Sequence, residues 1–344
     1  MTKNLQEKIH GSLAAACIAD ALGAPTEERS IPEIEQLWSK RIDQFYAPPA
    51  DSPYALGREA AQFTDDSSQM LMLAEVFIDG NGQASPEAVA EMIIQWSGKP
   101  QYYPHFAGPT TRRAIDRLKA GEDPWTVGKA GRIMTEGSSN GGAMRVAPAG
   151  LVNPGNVEAA AKAAFLTCVP SHNTNAGVAG AAAIAAAIAV AMVDGSTIVD
   201  VVQAAKLGAR IGDELGSTQG RIVPAPGIEQ RIDMAVRVAI SANSFDDAVK
   251  SIASQIGTGL PAAEAVPAAI GFFVAAGGDP WIAASMSASA GGDSDTVGCM
   301  AGAIAGAYAG IRGIPKDKYA QVVEANDLDL DDLSLRLSQV VNMR

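Results

Sequence analysis

Two short acidic runs carry most of the chemistry that this chain offers. Thr64-Asp65-Asp66-Ser67 and Gly291-Gly292-Asp293-Ser294-Asp295-Thr296 each set two carboxylates beside a threonine hydroxyl, and each leads into an apolar segment of helical period. Alone, either run reads first as a helix start, since threonine and aspartate are favoured N-caps and first-turn carboxylates complement the helix dipole. Together they read differently. Helices this apolar belong in the core, and four carboxylates at neighbouring buried helix starts repel strongly unless a cation lies between them. Oxygen donors with no Cys or His among them suit a hard ion, Mg2+ first, with Mn2+ or Ca2+ also admissible. Two divalent ions would balance Asp65, Asp66, Asp293 and Asp295 in charge.

Three further segments bear polar groups. Asp20-Ala21-Leu22-Gly23-Ala24-Pro25-Thr26-Glu27-Glu28 ends the first helix, and its glutamates read equally as solvated turn residues or as site carboxylates. Ser138-Ser139-Asn140-Gly141-Gly142-Ala143-Met144-Arg145 has free amides and an arginine suited to an anion or to sugar hydroxyls, and equally makes a plain turn. Ser171-His172-Asn173-Thr174-Asn175 precedes another apolar helix, so its side chains serve as caps or as ligand contacts. Gly137 to Gly141 matches the G-x-S-x-G nucleophile pattern in form only, because no strand precedes it and no base accompanies it. Gly98-Lys99 and Gly128-Lys129 are followed by Pro and Ala, which excludes a phosphate-binding P-loop. His10, His105 and His172 lack the i, i+4 pairing of a helical zinc site.

The elements that must position these groups are helices. The 344 residues are 47% hydrophobic, with 35 glycines and only 5% aromatics, which excludes disorder and favours helices packed closely through small side chains. Helical periodicity predicts segments at 68–78, 86–96, 110–120, 157–167, 176–193, 198–208, 228–242, 245–256, 263–276, 280–290, 297–308, 316–326 and 331–341. No alternating run is long enough for a central strand, so the fold class is all-α, read as one domain over 1–344. The longest irregular stretch, 41–62, has the length of a functional lid. With 26 basic against 38 acidic residues the net charge is −12, so neither nucleic acid nor a membrane surface is an expected partner. Cys17, Cys168 and Cys299 form no disulfide framework, and the amino terminus carries no signal-peptide pattern, so a cytoplasmic location is expected. Residues 176–193 are uncharged over a membrane-spanning length, but their Ala and Gly content reads as a buried helix.

Five of these segments, in order, make the chain resemble the ADP-ribosylglycohydrolase family: 20–27, Phe63-Thr64-Asp65-Asp66-Ser67, 139–145, Ser171-His172-Asn173 and 291–298. The resemblance implies a compact, orthogonal multi-helix bundle with two Mg2+ ions, or Mn2+, held by Thr64, Asp65 and Asp66 on one side and Asp293, Asp295 and Thr296 on the other. It implies a hydrolase that cleaves the glycosidic bond at ribose C1 of an ADP-ribosylated substrate or ADP-ribose derivative. The ions would hold the ribose hydroxyls and a water, which Glu27 or Asp66 orients as base. Substrate contacts fall on Ser139, Asn140, Gly141, Gly142, Met144 and His172. One departure stands out: arginine-specific members carry an aspartate ahead of a Gly-x-Thr-Thr-Arg-like segment, and the run from Tyr102 to Arg112 has none. It offers Tyr103 and Phe106, with Tyr102, as a wall suited to stacking on a flat base. Two alternatives follow: a hydrolase of a free nucleoside or small ribosyl compound, and a binding or structural protein that keeps the fold without turnover.

Overall fold

Glycine and alanine decide how closely this chain packs. The computed structural model describes residues 2–343, in which eighteen α-helices and three short 3-10 turns make up the regular structure; no strand occurs among the described residues. The amino-terminal helix, Thr2–Gly23, lies along Ser294–Ala309. Gly298, Gly302 and Gly306 follow the i, i+4 spacing that lines one helix face. A Cβ at Gly302 would sit 2.5 Å from the Ala15 carbonyl oxygen, and one at Gly11 would sit 2.5 Å from that of Gly306. The two backbones therefore touch directly. Asn175–Ala191 meets Ile198–Gln219 in the same way, a Cβ at Gly212 falling 2.7 Å from the Val178 carbonyl oxygen. Both pairs contribute to one apolar core that draws residues from Ile9 to Leu337.

This packing gathers the acidic runs. The end of the first helix meets the start of Ser294–Ala309, where a Cβ at Gly23 would stand 2.5 Å from the Asp295 nitrogen. Asp65–Asp79 starts beside them, because the Thr64 amide donates to Asp20 Oδ1 at 2.9 Å. Both acidic helices begin three residues earlier than their apolar periodicity indicates, at Asp65 and Ser294, which puts Asp65, Asp66, Asp295 and Thr296 in first turns. Ile198–Gln219 continues past Gly208, where the expected segment ends; a Cβ there would strike the Ala182 carbonyl, so this glycine serves packing.

The uncharged run forms the buried helix Asn175–Ala191, and no helix of the described residues is long and apolar enough to cross a membrane. The 41–62 stretch stays irregular but is tied down: Arg29 pairs with Asp51 at 2.6 Å, and Ala55 packs with Ala24 and Phe106. All three cysteines are free and buried.

Candidate active site

Capping does not explain either acidic run. Elsewhere in this chain Ser85, Thr174, Thr197, Ser244, Asp279 and Asp329 cap their helices by accepting a backbone N–H. Thr64 and Asp293 hold the same N-cap position and make no such bond. The Thr64 hydroxyl lies 2.9 Å from Asp20 Oδ1 and 2.8 Å from Asp66 Oδ2. Asp293 Oδ2 accepts from the Asn140 amide at 2.6 Å, and the Thr296 hydroxyl donates to Asp66 Oδ1 at 2.8 Å. Side chains that would cap an ordinary helix are here turned to Asp20 and Asp66 in one case and to Asn140 in the other.

The loop before Asp293 is built to hold this arrangement. Gly291 and Gly292 have φ of 70° and 68°, in the left-handed region that suits glycine. A Cβ on Gly291 would strike the Arg29 carbonyl, and one on Gly292 would meet the Thr258 hydroxyl at 2.6 Å. Between these neighbours the Asp293 amide donates to the Thr258 carbonyl at 2.7 Å, which fixes where its side chain starts.

The result is a concentration of negative charge. Burial first, and then mutual repulsion, holds Asp65, Asp66, Asp295 and Glu27 well above the usual carboxylate range; burial raises Asp20 and Asp293 as well. One oxygen each from Asp20, Asp66 and Asp295 lie within 4.8 Å of one another, and so do oxygens from Glu27, Asp293 and Asp295. The two triads share Asp295 and draw on both acidic runs. Two observations show that the residues fit cations. Glu27 Oε2 is buried without a hydrogen-bond partner. The single Thr64 proton faces two carboxylates, which is stable only if one of them is protonated or a cation offsets them. An all-oxygen donor set is that of a hard divalent ion.

Above the cluster opens a cavity of about 380 Å3, lined by Glu27, Asp65, Asp293, Asp295 and Thr296, by Ser139, Asn140, Gly141 and Met144, and by Tyr54 and Phe106, with Arg112, Arg113 and Ile133 also on its wall. Its size is that of a small-ligand site.

Comparison with known proteins agrees with this geometry. The ADP-ribosylglycohydrolase family profile matches residues 1–344. The chain belongs to that family. It is 30% identical to the uncharacterized protein YegU of Escherichia coli over 98% of both chains. It is 28% identical to the ADP-ribosylhydrolase ARH3 of Bos taurus, over 90% of this chain and 87% of the relative. Among solved structures, an ADP-ribosylglycohydrolase-related protein complex superposes with a TM-score of 0.69 at 22% identity, covering 98% of this chain and 99% of the other, a likeness of fold.

Within this family member the expected residues fall into three groups. Asp65, Asp293, Asp295, Thr296, Glu27, Ser139, Asn140, Gly141, Met144 and Phe106 line the cavity. Thr64, Asp66, Gly142 and His172 lie behind that lining: His172 is fully buried, its Nε2 3.0 Å from Ser139 Oγ, and Gly142 makes room for Cys168 and the imidazole. Tyr103 is the correction, since it stands edge-on to Trp96 at 6.0 Å, with the Arg112 guanidinium 5.3 Å from its ring, and does not line the cavity. Tyr102 stacks on Phe63 instead. The short Tyr103–Phe106 helix turns only Phe106 inward.

Among the residues not anticipated for the site are Asp20 and Tyr54. Asp20 is fully buried and accepts from the Thr64 and Ser67 amides at 2.9 Å. Its signal was available: it is the one charge in an otherwise uncharged stretch from Gly11 to Thr26. Tyr54 comes from the irregular stretch, where burial and the nearby Glu28 and Glu27 push its hydroxyl pKa up. No pattern in the sequence marks it.

Proposed function

We propose that this chain hydrolyses the glycosidic bond at ribose C1 of an ADP-ribosylated substrate or ADP-ribose derivative, with two Mg2+ ions. The observation that carries the reading is the pair of carboxylate triads beside the cavity, with one glutamate oxygen left unpaired. Asp20, Asp66, Asp295, Glu27 and Asp293 would hold the ions, with Asp65 and the Thr64 and Thr296 hydroxyls beside them. Bound there, the ions would supply a lowered water pKa and an anchor for ribose hydroxyls.

The chain's own groups complete the chemistry. Asp66 has one oxygen on the Thr64 hydroxyl and the other on that of Thr296, and it does not line the cavity. Glu27 has a free oxygen and lines the cavity, which makes it the better base for the attacking water. The surrounding carboxylates favour the positive charge that develops on the ribose ring as the bond breaks. Phe106 and Tyr54 offer aromatic surface to a flat group.

No carboxylate occurs from Tyr102 to Arg112 to pair with a guanidinium, which favours a linkage other than arginine. The aromatic surface beside a cavity of about 380 Å3 supports the second reading, a nucleoside or small ribosyl substrate. The test is a product screen with Mg2+ against ADP-ribosyl-serine, ADP-ribosyl-arginine, O-acetyl-ADP-ribose and a nucleoside panel. Release of ribose or ADP-ribose that E27Q abolishes supports hydrolysis. No product from any of these substrates would leave a binding protein.

A further inference from the structure

Behind the cavity a chain of side chains runs inward from Ser139 to a fully buried arginine. Arg145 is 0% exposed and donates from Nη2 to Ser171 Oγ at 2.6 Å and from Nη1 to Gln69 Oε1 at 2.8 Å. Ser171 Oγ lies 2.9 Å from His172 Nδ1, and His172 Nε2 lies 3.0 Å from Ser139 Oγ. Ser139 lines the cavity. A Cβ on Gly141 would stand 2.7 Å from His172 Nε2, so the loop rests directly on the ring.

The arginine sets the direction of the first bond and biases the others. A guanidinium only donates, so Ser171 Oγ accepts from it. The Ser171 proton then needs an acceptor, and His172 Nδ1 is the group beside it. An imidazole that accepts at Nδ1 and stays neutral carries its proton on Nε2 and donates there to Ser139. Burial, and then the Arg145 charge, keep the ring neutral by lowering its pKa to about 3. Ser139 has already accepted, and its own proton is left for the cavity. All the dipoles of the chain thus point away from a buried cation and reinforce one another.

We propose that Ser171, held by Arg145, is a positioning residue that locks His172 as the Nε2–H tautomer and so fixes the Ser139 hydroxyl as a donor to an anionic oxygen of the substrate. A phosphoryl oxygen, which only accepts, is the group this end selects. The same arginine orients the other side of the cavity: with Gln69 Oε1 taken, the Gln69 amide turns its Nε2 to Asp65 Oδ2 at 3.2 Å. The substrate preference rests on the hydrolase reading above; the tautomer does not.

The test therefore begins without substrate. In protein labelled with 15N-histidine, ring correlations of His172 should show a bare Nδ1 and a protonated Nε2 that do not titrate between pH 5 and 8. An Nδ1-protonated or titrating His172 overturns the proposal. In S171A the tautomer should shift toward Nδ1–H, and KM for a diphosphate-bearing substrate should rise roughly ten- to a hundredfold, as for a hydrogen bond to a charged group. S139A should reproduce the KM change with the tautomer untouched, and keeps the test available if S171A does not fold. An unshifted tautomer in folded S171A, or a KM changed less than twofold in S139A, also overturns it. If no substrate turns over, Kd for free ADP-ribose replaces KM. Failure of the hydrolase reading then leaves the relay decided by the spectrum alone.

Discussion

The two sides of the cavity solve the problem of buried polarity in opposite ways. On the side of Asp20, Asp66, Asp295, Asp293 and Glu27, like charges are held together and hydrogen bonds fall short of what the oxygens need. On the side of Arg145, Ser171, His172 and Ser139, a single charge is spread through neutral acceptors that pass one proton direction along. The first arrangement is relieved either by protons or by a ligand of opposite charge, because an unpaired buried charge is costly. The second leaves only Arg145 Nε without a partner and ends at Ser139, where it meets the cavity. On the proposed function one side should respond to cations, while the other is held in a fixed geometry.

Substitutions should separate the sides. The largest effect is expected for D295N, since Asp295 belongs to both triads. Its kcat/KM should fall by more than the roughly 10–100-fold typical of groups that merely support a metal ligand. Its stability should show a reversal: in chelator the variant melts above wild type, because a repelling charge is gone, and in excess Mg2+ it melts below. A lower melting temperature in both conditions would break the contrast. Next come the aromatics. F106A should raise KM about ten- to a hundredfold, as for one lost stacking partner. Y103A should lower stability while leaving KM within about twofold, because its ring packs on Trp96.

On the neutral side, Arg145→Met should cost about 1–3 kcal/mol of stability by stranding the Gln69 and Ser171 acceptors. That cost should change with Mg2+ far less than the cost of D295N, as urea titrations in both conditions would show. A further effect is a pH slope. The folded carboxylates of the cluster hold protons above the values of about 4 that they have when unfolded. The native state then binds more protons than the unfolded state above that pH, so stability without cations should fall as pH rises from about 5 toward the raised folded values. Each excess proton contributes about 1.4 kcal/mol per pH unit. Mg2+, which needs the ionised forms, should flatten the slope.

The helices were legible because small-residue periodicity and caps such as Ser85-Pro86 are local signals; Pro86–Trp96, Pro280–Ala290 and Lys316–Asn326 match their predicted ranges end to end. The acidic runs were legible as a pair because their repulsion must be relieved wherever they meet. Their partition was not: the sequence groups carboxylates by run, whereas the antiparallel contact of Thr2–Gly23 with Ser294–Ala309 pairs Asp295 with Asp20 and Asp66. Tyr103 misled because an aromatic in a loop has the same appearance whether it faces a ligand or Trp96. The 198–208 segment fell short of Gln219 because the packing role of Gly208 against Ala182 is a tertiary feature with no local signal.

Isothermal titration of the chelated protein with Mg2+ near pH 6, repeated in buffers of different ionisation heat, tests the cation requirement most directly. It counts bound ions and released protons together. Two Mg2+ per chain with net proton release is the expected result, from carboxylates that give up protons to become ligands. Absence of saturable binding, or saturation without proton release, would contradict the assignment of the cluster as a metal centre.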